Sequence, residues 1–312
     1  MGNSASDSGT PAKTGAVMVL YNPDWSLTDK AIKAISQQVD TLCLVDNSDS
    51  DSNARFRDMD YIVYLPLHAN RGIAAAQNAG IRELIARGVG LIFFIDQDSV
   101  AGSDVVLKLT EACSLLQDHG VRIAALGTRA INSQTGLPYA PKSLELGSPK
   151  ELVGSGMAGS INETYSVISS ISMIPTEAFL EVGGFDEALF IDGVDHEWCW
   201  RAWHSHKRRT FIVESAHISH MLGEGDRRIA SHKISIPATF RLYYQFRNYL
   251  WLRRRDYVPS FWLRKNGRKY IIKAFYFPIM VAPRLSNLRN IVRGLRDGMR
   301  PKGPTSRWPR FD

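Results

Sequence analysis

Short apolar runs alternate with stretches of helical periodicity along the first two-thirds of the chain. Ala16-Val17-Met18-Val19-Leu20-Tyr21 reads as a buried strand ended by Asn22-Pro23-Asp24. Leu27, Ala31, Ile32 and Ile35 then mark one face of a helix reaching Gln38. Thr41–Val45, Tyr61–Leu65 and Leu91–Ile95 repeat the strand pattern. A small-residue helix from Ile73 to Arg87 is stopped by Gly88-Val89-Gly90. A helix near Asp104–His119 and a strand near Ile123–Leu126 continue the alternation. Thr128 to Glu163 is rich in Gly, Ser and Pro and reads as loops over a site. Val167–Ile174 is strand-like, Pro175-Thr176-Glu177 opens a helix, and Glu197-Trp198-Cys199-Trp200-Arg201 continues another. The alternation predicts an α/β fold whose sheet strands are joined by right-handed crossovers.

Composition limits the classes. With 312 residues, 44% apolar and 22% charged, the chain is globular: one large domain plus an appendage, or two domains. Cys43, Cys113 and Cys199 are scattered, which excludes a disulfide framework and a zinc site and fits a reducing compartment. Met1 to Gly15 is polar and has no apolar core of the signal-peptide kind; it reads as a flexible tail, although Met1-Gly2-Asn3-Ser4-Ala5-Ser6 formally matches a myristoylation pattern.

Charge changes the picture further. Residues 227–312 carry 21 Lys and Arg against 3 Asp and Glu, whereas residues 1–226 carry 17 against 28. The chain therefore divides into a tail at 1–14, an acidic body at 15–226 and a basic, amphipathic region at 227–312. Aromatic residues are interleaved with the cations of that last region. Its longest apolar stretch, near Tyr270–Ala282, is broken by Lys273 and Pro278, too short for a bilayer span. Such a segment fits an anionic membrane surface. No nucleic-acid motif accompanies it, and no nucleic-acid partner is expected.

The sharpest chemical signal is Asp96-Gln97-Asp98, directly after the Leu91–Ile95 run. Two carboxylates where a buried strand emerges repel each other unless a cation or a set of donors answers them. At the carboxyl end of a parallel strand the pair suits a hard divalent cation, which could hold a nucleotide's diphosphate. An Asp-x-Asp-Ser turn that merely stops the strand is the plainer alternative. Asp46-Asn47-Ser48 offers either a carboxylate for a nucleobase edge or an Asx turn. Asn70 to Gly80 supplies Gly72 for close backbone approach, and Asn78, a poor helix former, implies a specific hydrogen bond. Asp192, Asp195 and Glu197 stand at a helix start among Phe190, Ile191, Trp198 and Trp200, where they serve as caps or as a general base. His217 and His220 lie three apart in a strand, on opposite faces, so at most one points into a site.

Taken in order, several segments resemble family 2 glycosyltransferases. They are Val19-Leu20-Tyr21-Asn22-Pro23, Val45-Asp46-Asn47-Ser48, the Asn70–Ile81 stretch, Phe94-Ile95-Asp96-Gln97-Asp98-Ser99, Gly183-Gly184-Phe185-Asp186-Glu187 and Phe190–Arg201. Asp-Gln-Asp-Ser and Tyr243-Tyr244-Gln245-Phe246-Arg247-Asn248 resemble the bacterial rhamnosyltransferase branch. The resemblance implies a GT-A-like nucleotide-sugar fold, a single mixed, mostly parallel sheet flanked by helices, with a mainly helical C-terminal extension. It implies inverting transfer from a nucleoside diphosphate sugar with Mg²⁺ or Mn²⁺. Asp46 would hold the base, Asp96 the ribose side, and Asp98 the metal together with His220. Tyr21, Asn22, Asn70, Gly72, Asn78, Gln97 and Glu197 would complete the donor site. Asp195 falls at the family's general base, but Val194 stands where the motif carries an acid, so Asp192 remains a second choice. The branch further implies dTDP-L-rhamnose as donor and a lipid-linked glycan as acceptor, in cell-surface polysaccharide synthesis of the O-antigen type. The enzyme would then be cytoplasmic and peripheral on the inner face of the bacterial plasma membrane. Another nucleotide sugar, or a non-catalytic polyanion-binding protein of the same fold, are the alternatives.

Overall fold

The structure, a computed structural model, describes residues 12–49, 55–56, 59–132, 145–147, 150–152, 160–168, 170–220, 226–229, 232–235 and 238–300. The N-terminal half is built from β1 (Thr14–Leu20), α1 (Trp25–Ser36), β2 (Thr41–Asp46), β3 (Ile62–Pro66), α2 (Ile73–Ala86), β4 (Leu91–Asp96), β5 (Ser99–Ala101), α3 (Val105–Asp118) and β6 (Ile123–Asn132). Next come β7 (Glu145–Gly147), β8 (Ile161–Thr164), β9 (Ser172–Pro175), α4 (Thr176–Val182), α5 (Val194–His206) and β10 (Arg209–His220). A small hairpin, β11 (Asp226–Ile229) and β12 (His232–Ser235), precedes the helices α6 (Thr239–Leu252), α7 (Ser260–Met280) and α8 (Arg284–Met299).

One mixed sheet runs β3-β2-β1-β4-β9-β6-β10-β8-β7, with β5 paired to β10. Strands β1, β2, β3, β4, β6, β7 and β10 share one direction, and β5, β8 and β9 oppose them. β2 is buried at all six positions and β4 at its first five, as their unbroken apolar runs require of strands covered on both faces. One core joins the sheet to α1 and α3, with Ile32, Ile35, Leu109 and Leu116 against Met18, Leu42 and Phe93. The other joins it to α2, α4 and α5, with Ile81, Leu84, Phe179 and Trp198 against Val17, Val45 and Phe94.

The strand-like stretch at 167–174 becomes strand only from Ser172, and the loop region after Thr128 contains the end of β6 as well as β7 and β8. The rest of that region lies outside the described residues. A helix at 104–119 is observed as α3, one residue shorter at each end.

The basic region is divided in its packing. Trp251, Leu252, Val258 and Trp262 belong to the core cluster of α2 and α5, while Leu242, Phe246, Phe277, Val281 and Ile291 form a small core of their own. α8 closes onto α6 because Gly294 and Gly298 present no side chain: a Cβ on Gly294 would lie 2.5 Å from the Tyr243 carbonyl oxygen. Among the described residues, no helix is long and apolar enough to cross a membrane. Gly294→Leu forces backbone apart and is expected to cost ~1–3 kcal/mol, as overpacking does. Urea denaturation followed by far-UV circular dichroism measures it; an unchanged midpoint contradicts the close approach of α6 and α8.

Candidate active site

Parallel strands deliver their carboxyl ends to one edge of the sheet, where open α/β folds bind ligands. Leu20 stands opposite Asp46 and Val19 opposite Asp96, so the ends of β1, β2 and β4 are adjacent by register. Gln97 reaches back to β1: its Oε1 accepts the Tyr21 N–H at 2.8 Å, and its Nε2 donates to the Tyr21 carbonyl at 3.1 Å. The Ser170 hydroxyl donates to Asp96. Asp98 is exposed. β10 approaches from the other side, and pairing with β5 sets His220 opposite Ser99, one residue beyond Asp98. His217 is exposed and lies within the field of Asp104 and Glu214, on the side of α3.

The neighbouring loops are tied by side-chain amides. Asn47 donates through Nδ2 to Asn70 Oδ1 at 3.0 Å, and its Oδ1 accepts the Arg71 N–H at 2.8 Å. Asn70 Oδ1 also accepts the Gly72 N–H at 3.0 Å. Asn22, at φ 44°, donates its N–H to the Ser48 hydroxyl at 2.9 Å. Asp46 is 1% exposed; it accepts the Tyr64 hydroxyl at 2.6 Å and the Ser48 N–H at 3.0 Å. Its carboxylate thus organises the end of β2 from within. Gly72 starts α2 at φ 86°, where a Cβ would sit 2.6 Å from the Phe190 ring and 2.8 Å from its carbonyl oxygen. Only glycine fits that crossing.

Two residues expected in the donor site face the core instead. Asn78 is fully buried, donating to the Phe185 carbonyl and Glu187 Oε1 and accepting the Phe185 N–H at 2.9 Å. Its specific partner is therefore the Gly183–Glu187 segment, which it fastens to α2. Glu197 is fully buried too, bonded to Arg201 at 2.9 Å, Arg255 at 3.1 Å and the Tyr257 hydroxyl at 2.6 Å. Val194, Glu197, Trp198 and Arg201 share one inward face of α5, and Cys199, Trp200 and Ala202 are buried as well, while Asp195 and His196 in its first turn are half-buried.

The acid-bearing segment before α5 is shaped from α6. The Asn248 amide nitrogen lies 2.9, 2.7 and 2.9 Å from the carbonyl oxygens of Leu189, Ile191 and Asp192. Arg247 donates to the carbonyls of Ala188 and Leu189, and its Nε bonds Asn248 Oδ1 at 3.0 Å, fixing that amide. Between these bonds Phe190 and Asp192 adopt φ 65° and 66°, conformations that non-glycine residues take only when surroundings enforce them. The Phe190 carbonyl accepts the Ile73 N–H at 2.8 Å, and its ring stacks on Tyr244 at 4.7 Å. Arg241 pairs with both oxygens of Asp192, at 2.5 and 3.2 Å. It is held more firmly protonated first by Asp192, with a contribution from Asp96. Arg241 therefore meets Asp192 by direct contact and feels the charge of Asp96 at longer range. Sequence reasoning missed Arg241, Ser170 and Tyr64; Arg241 stood only two residues before a motif already singled out.

The edge thus combines acids at strand ends, a glycine-started helix and a second acidic turn held from α6. Residues 16–163 match the family model described as glycosyl transferase family 2. The dTDP-rhamnosyl transferase RfbF of Shigella flexneri is 27% identical over 289 residues, covering 91% of this chain and 95% of that protein. Among solved structures, GalNAc-T7 with UDP, GalNAc and Mn²⁺ superposes with a TM-score of 0.54 at 13% identity, over 89% of this chain and 58% of that one. This chain thus spans little more than half of that neighbour. Staphylococcus aureus TarS 1–349 in complex with UDP-GlcNAc gives 0.53 at 12% identity, over 92% and 80% of the two chains. Both are likenesses of fold. Residues 16–163 thus carry a family 2 glycosyltransferase domain, and with the rhamnosyl transferase that aligns along nearly the whole chain they mark a glycosyltransferase of GT-A-like fold rather than a non-catalytic binding protein.

Burial alone raises the Glu197 carboxyl, but Arg201, then Arg255 and Tyr257, hold it below its ordinary value. Its contribution to stability is therefore full above the ordinary carboxylate pKa of about 4.3 and is lost as pH falls through the lower native value. Glu197→Gln leaves two guanidinium groups short of a partner, an expected loss of ~3–5 kcal/mol at neutral pH. In thermal unfolding the gap to the parent is expected to narrow below about pH 4; a gap independent of pH contradicts the assignment.

Proposed function

We propose that this enzyme transfers L-rhamnose from dTDP-L-rhamnose to a hydroxyl of a lipid-linked glycan, with inversion, in the assembly of a bacterial cell-surface polysaccharide of the O-antigen type. The observation that supports this reading is the set of carboxylates at adjacent strand ends, Asp46 and Asp96, together with the acid turn that Arg241 holds at Asp192. The rhamnosyl donor is supported by the relative that aligns over nearly the whole chain.

Asp195 is the residue we assign as general base. Asp195 is half-buried in the first turn of α5 and falls at the position the family resemblance gives to the general base. In a single in-line displacement, the acceptor oxygen attacks the anomeric carbon as its proton passes to Asp195, and the nucleoside diphosphate departs. Such proton removal is typically worth 10²–10⁴-fold. Tyr21, Asn22, Asp46, Asn70, Gly72, Asp96 and Gln97 line or organise the donor side. Asn78 and Glu197 act at one remove, by fastening the elements that carry them.

The residues fit a divalent ion of the Mg²⁺ or Mn²⁺ kind. Asp98 offers an exposed carboxylate at the strand edge, and the backbone of His220 is in register beside it. Among the described residues no group of three His, Cys, Asp or Glu side chains converges. A site of one or two protein ligands completed by substrate phosphates is the arrangement such hard ions accept. When bound, the ion supplies neutralisation of the charge developing on the leaving diphosphate. A solved neighbour whose crystals held UDP and Mn²⁺ agrees with that chemistry. The acceptor's lipid anchor places the reaction at the inner face of the plasma membrane.

Asp195→Asn is expected to lower transfer by ~10²–10⁴-fold while leaving donor binding intact. Asp98→Asn is expected to abolish the Mn²⁺-dependent part of the thermal shift produced by dTDP-L-rhamnose. Radiolabel transfer to a membrane extract and differential scanning fluorimetry measure the two. Normal turnover by Asp195→Asn overturns the base; stabilisation by other nucleotide sugars but not dTDP-L-rhamnose overturns the donor.

A further inference from the structure

The outer surface of the last two helices has an unusual composition. From Phe261 onward, every exposed side chain on α7 and α8 is either cationic or a large apolar one. On α7 these are Arg264, Lys265, Arg268 and Lys269, followed by Ile271, Ile272, Phe275, Ile279 and Met280. On α8 they alternate: Arg284, Leu285, Leu288, Arg289, Val292, Arg293, Arg296 and Met299. Phe275 is 69% exposed and Leu285 83%. Ile271, Ile272, Phe275 and Ile279 recur at helical spacing and share one face. The opposite faces are spoken for: Trp262, Lys273 and Phe277 of α7, and Asn287, Ile291, Gly294 and Gly298 of α8, are buried against the body.

Soluble surfaces seldom show apolar side chains in such a row without a partner for them. Charge decides which partner. Residues 257–300 carry ten Lys and Arg and one acid, Asp297. A second copy of this chain would set those cations against themselves. A nucleic acid would answer the charge but leave Ile272, Phe275 and Ile279 in water. An anionic bilayer answers both, with headgroups against the cations and the acyl boundary against the apolar row.

We propose that α7 and α8 together form a membrane-insertion face that seats the enzyme on an anionic leaflet, with Ile271, Ile272, Phe275, Ile279, Leu285, Leu288 and Val292 entering the headgroup–acyl boundary. This deepens the lipid-linked acceptor reading above and rests on it for its purpose, though not for its geometry. The seat is close to the chemistry. The inner side of α7 supplies Tyr270 and Lys273 to a cavity of about 180 Å³ that also touches Asp192, Gly193 and His196. One helix, about 10 Å across, therefore separates the insertion face from the catalytic turn. An acceptor hydroxyl near its lipid anchor is within reach of an enzyme held this way.

The test is co-sedimentation of the full chain with vesicles of phosphatidylcholine, alone or mixed with phosphatidylglycerol. The protein is expected to pellet with the mixed vesicles and to stay in solution with phosphatidylcholine alone. Ile272→Ser/Phe275→Ser/Ile279→Ser is expected to weaken that binding by about tenfold or more, because the apolar term is removed. Arg264→Gln/Arg268→Gln/Arg289→Gln is expected to weaken it at low salt and to flatten its salt dependence. Circular dichroism and the thermal shift with dTDP-L-rhamnose confirm that both variants are folded, and they read donor binding separately from lipid binding. Binding by the serine variant equal to the parent overturns the proposal. So does a parent that ignores anionic vesicles, or one that dimerises in solution through residues 272–279. Loss of the donor shift with vesicle binding retained would count against the rhamnosyl reading alone and support the insertion face.

Discussion

The acid-bearing turn before α5 depends on a handful of hydrogen bonds to the carbonyl groups of residues 188–192. Those residues bridge two well-packed layers, yet two of them hold left-handed backbone that neither Phe nor Asp adopts unaided. Asn248 and Arg247 supply the donors that keep the segment in that shape. The same segment feeds Phe190 into the start of α2 and Asp192 into Arg241. Loss of the bonds from α6 would release the donor side and the acid turn together. The helices that a charge count sets apart are thus part of the machinery that places the acids.

The division of charge along the chain acquires a physical meaning from this. Part of the basic excess answers the acidic body from within: Arg241 on Asp192, and Arg255 on Asp186 and Glu197. These pairs are partly or fully desolvated, where a missing partner costs far more than an exposed pair contributes. Another group of cations, Arg264, Lys265, Arg268 and Lys269 on α7 and Arg284, Arg289, Arg293 and Arg296 on α8, is exposed beside apolar side chains. A single count of +18 against −11 contains both populations. Only packing separates them.

Much of the architecture was legible in the residues themselves. The runs at 16–21, 41–45 and 91–95 are largely buried and that at 61–65 partly so, and their length and branching suit strands. The acids at 46, 96 and 98 were legible for the same reason, since each ends such a run. What escaped was set by long-range pairing. β8 and β5 are three or four residues long and exist because β10 pairs with them. Asn78 and Glu197 carry polar side chains at helix positions where an active-site role and a buried anchor look alike; Phe185 and Glu187, which Asn78 meets, and Arg255 and Tyr257, which Glu197 meets besides Arg201, lie more than fifty residues away. Arg241 is one cation among 21 in its region, and only the fold shows it meeting Asp192.

The most direct test of the account is a double-mutant cycle between Asn248 and Asp195, read as kcat for rhamnosyl transfer. If Asn248 acts by placing the catalytic turn, Asn248→Ala alone should lower kcat by about tenfold or more. Added to Asp195→Asn it should then cost little further, because the group it positions has already been disabled. Losses that multiply, with Asn248→Ala equally harmful whether or not Asp195 is present, would contradict the dependence of the proposed general base on that amide.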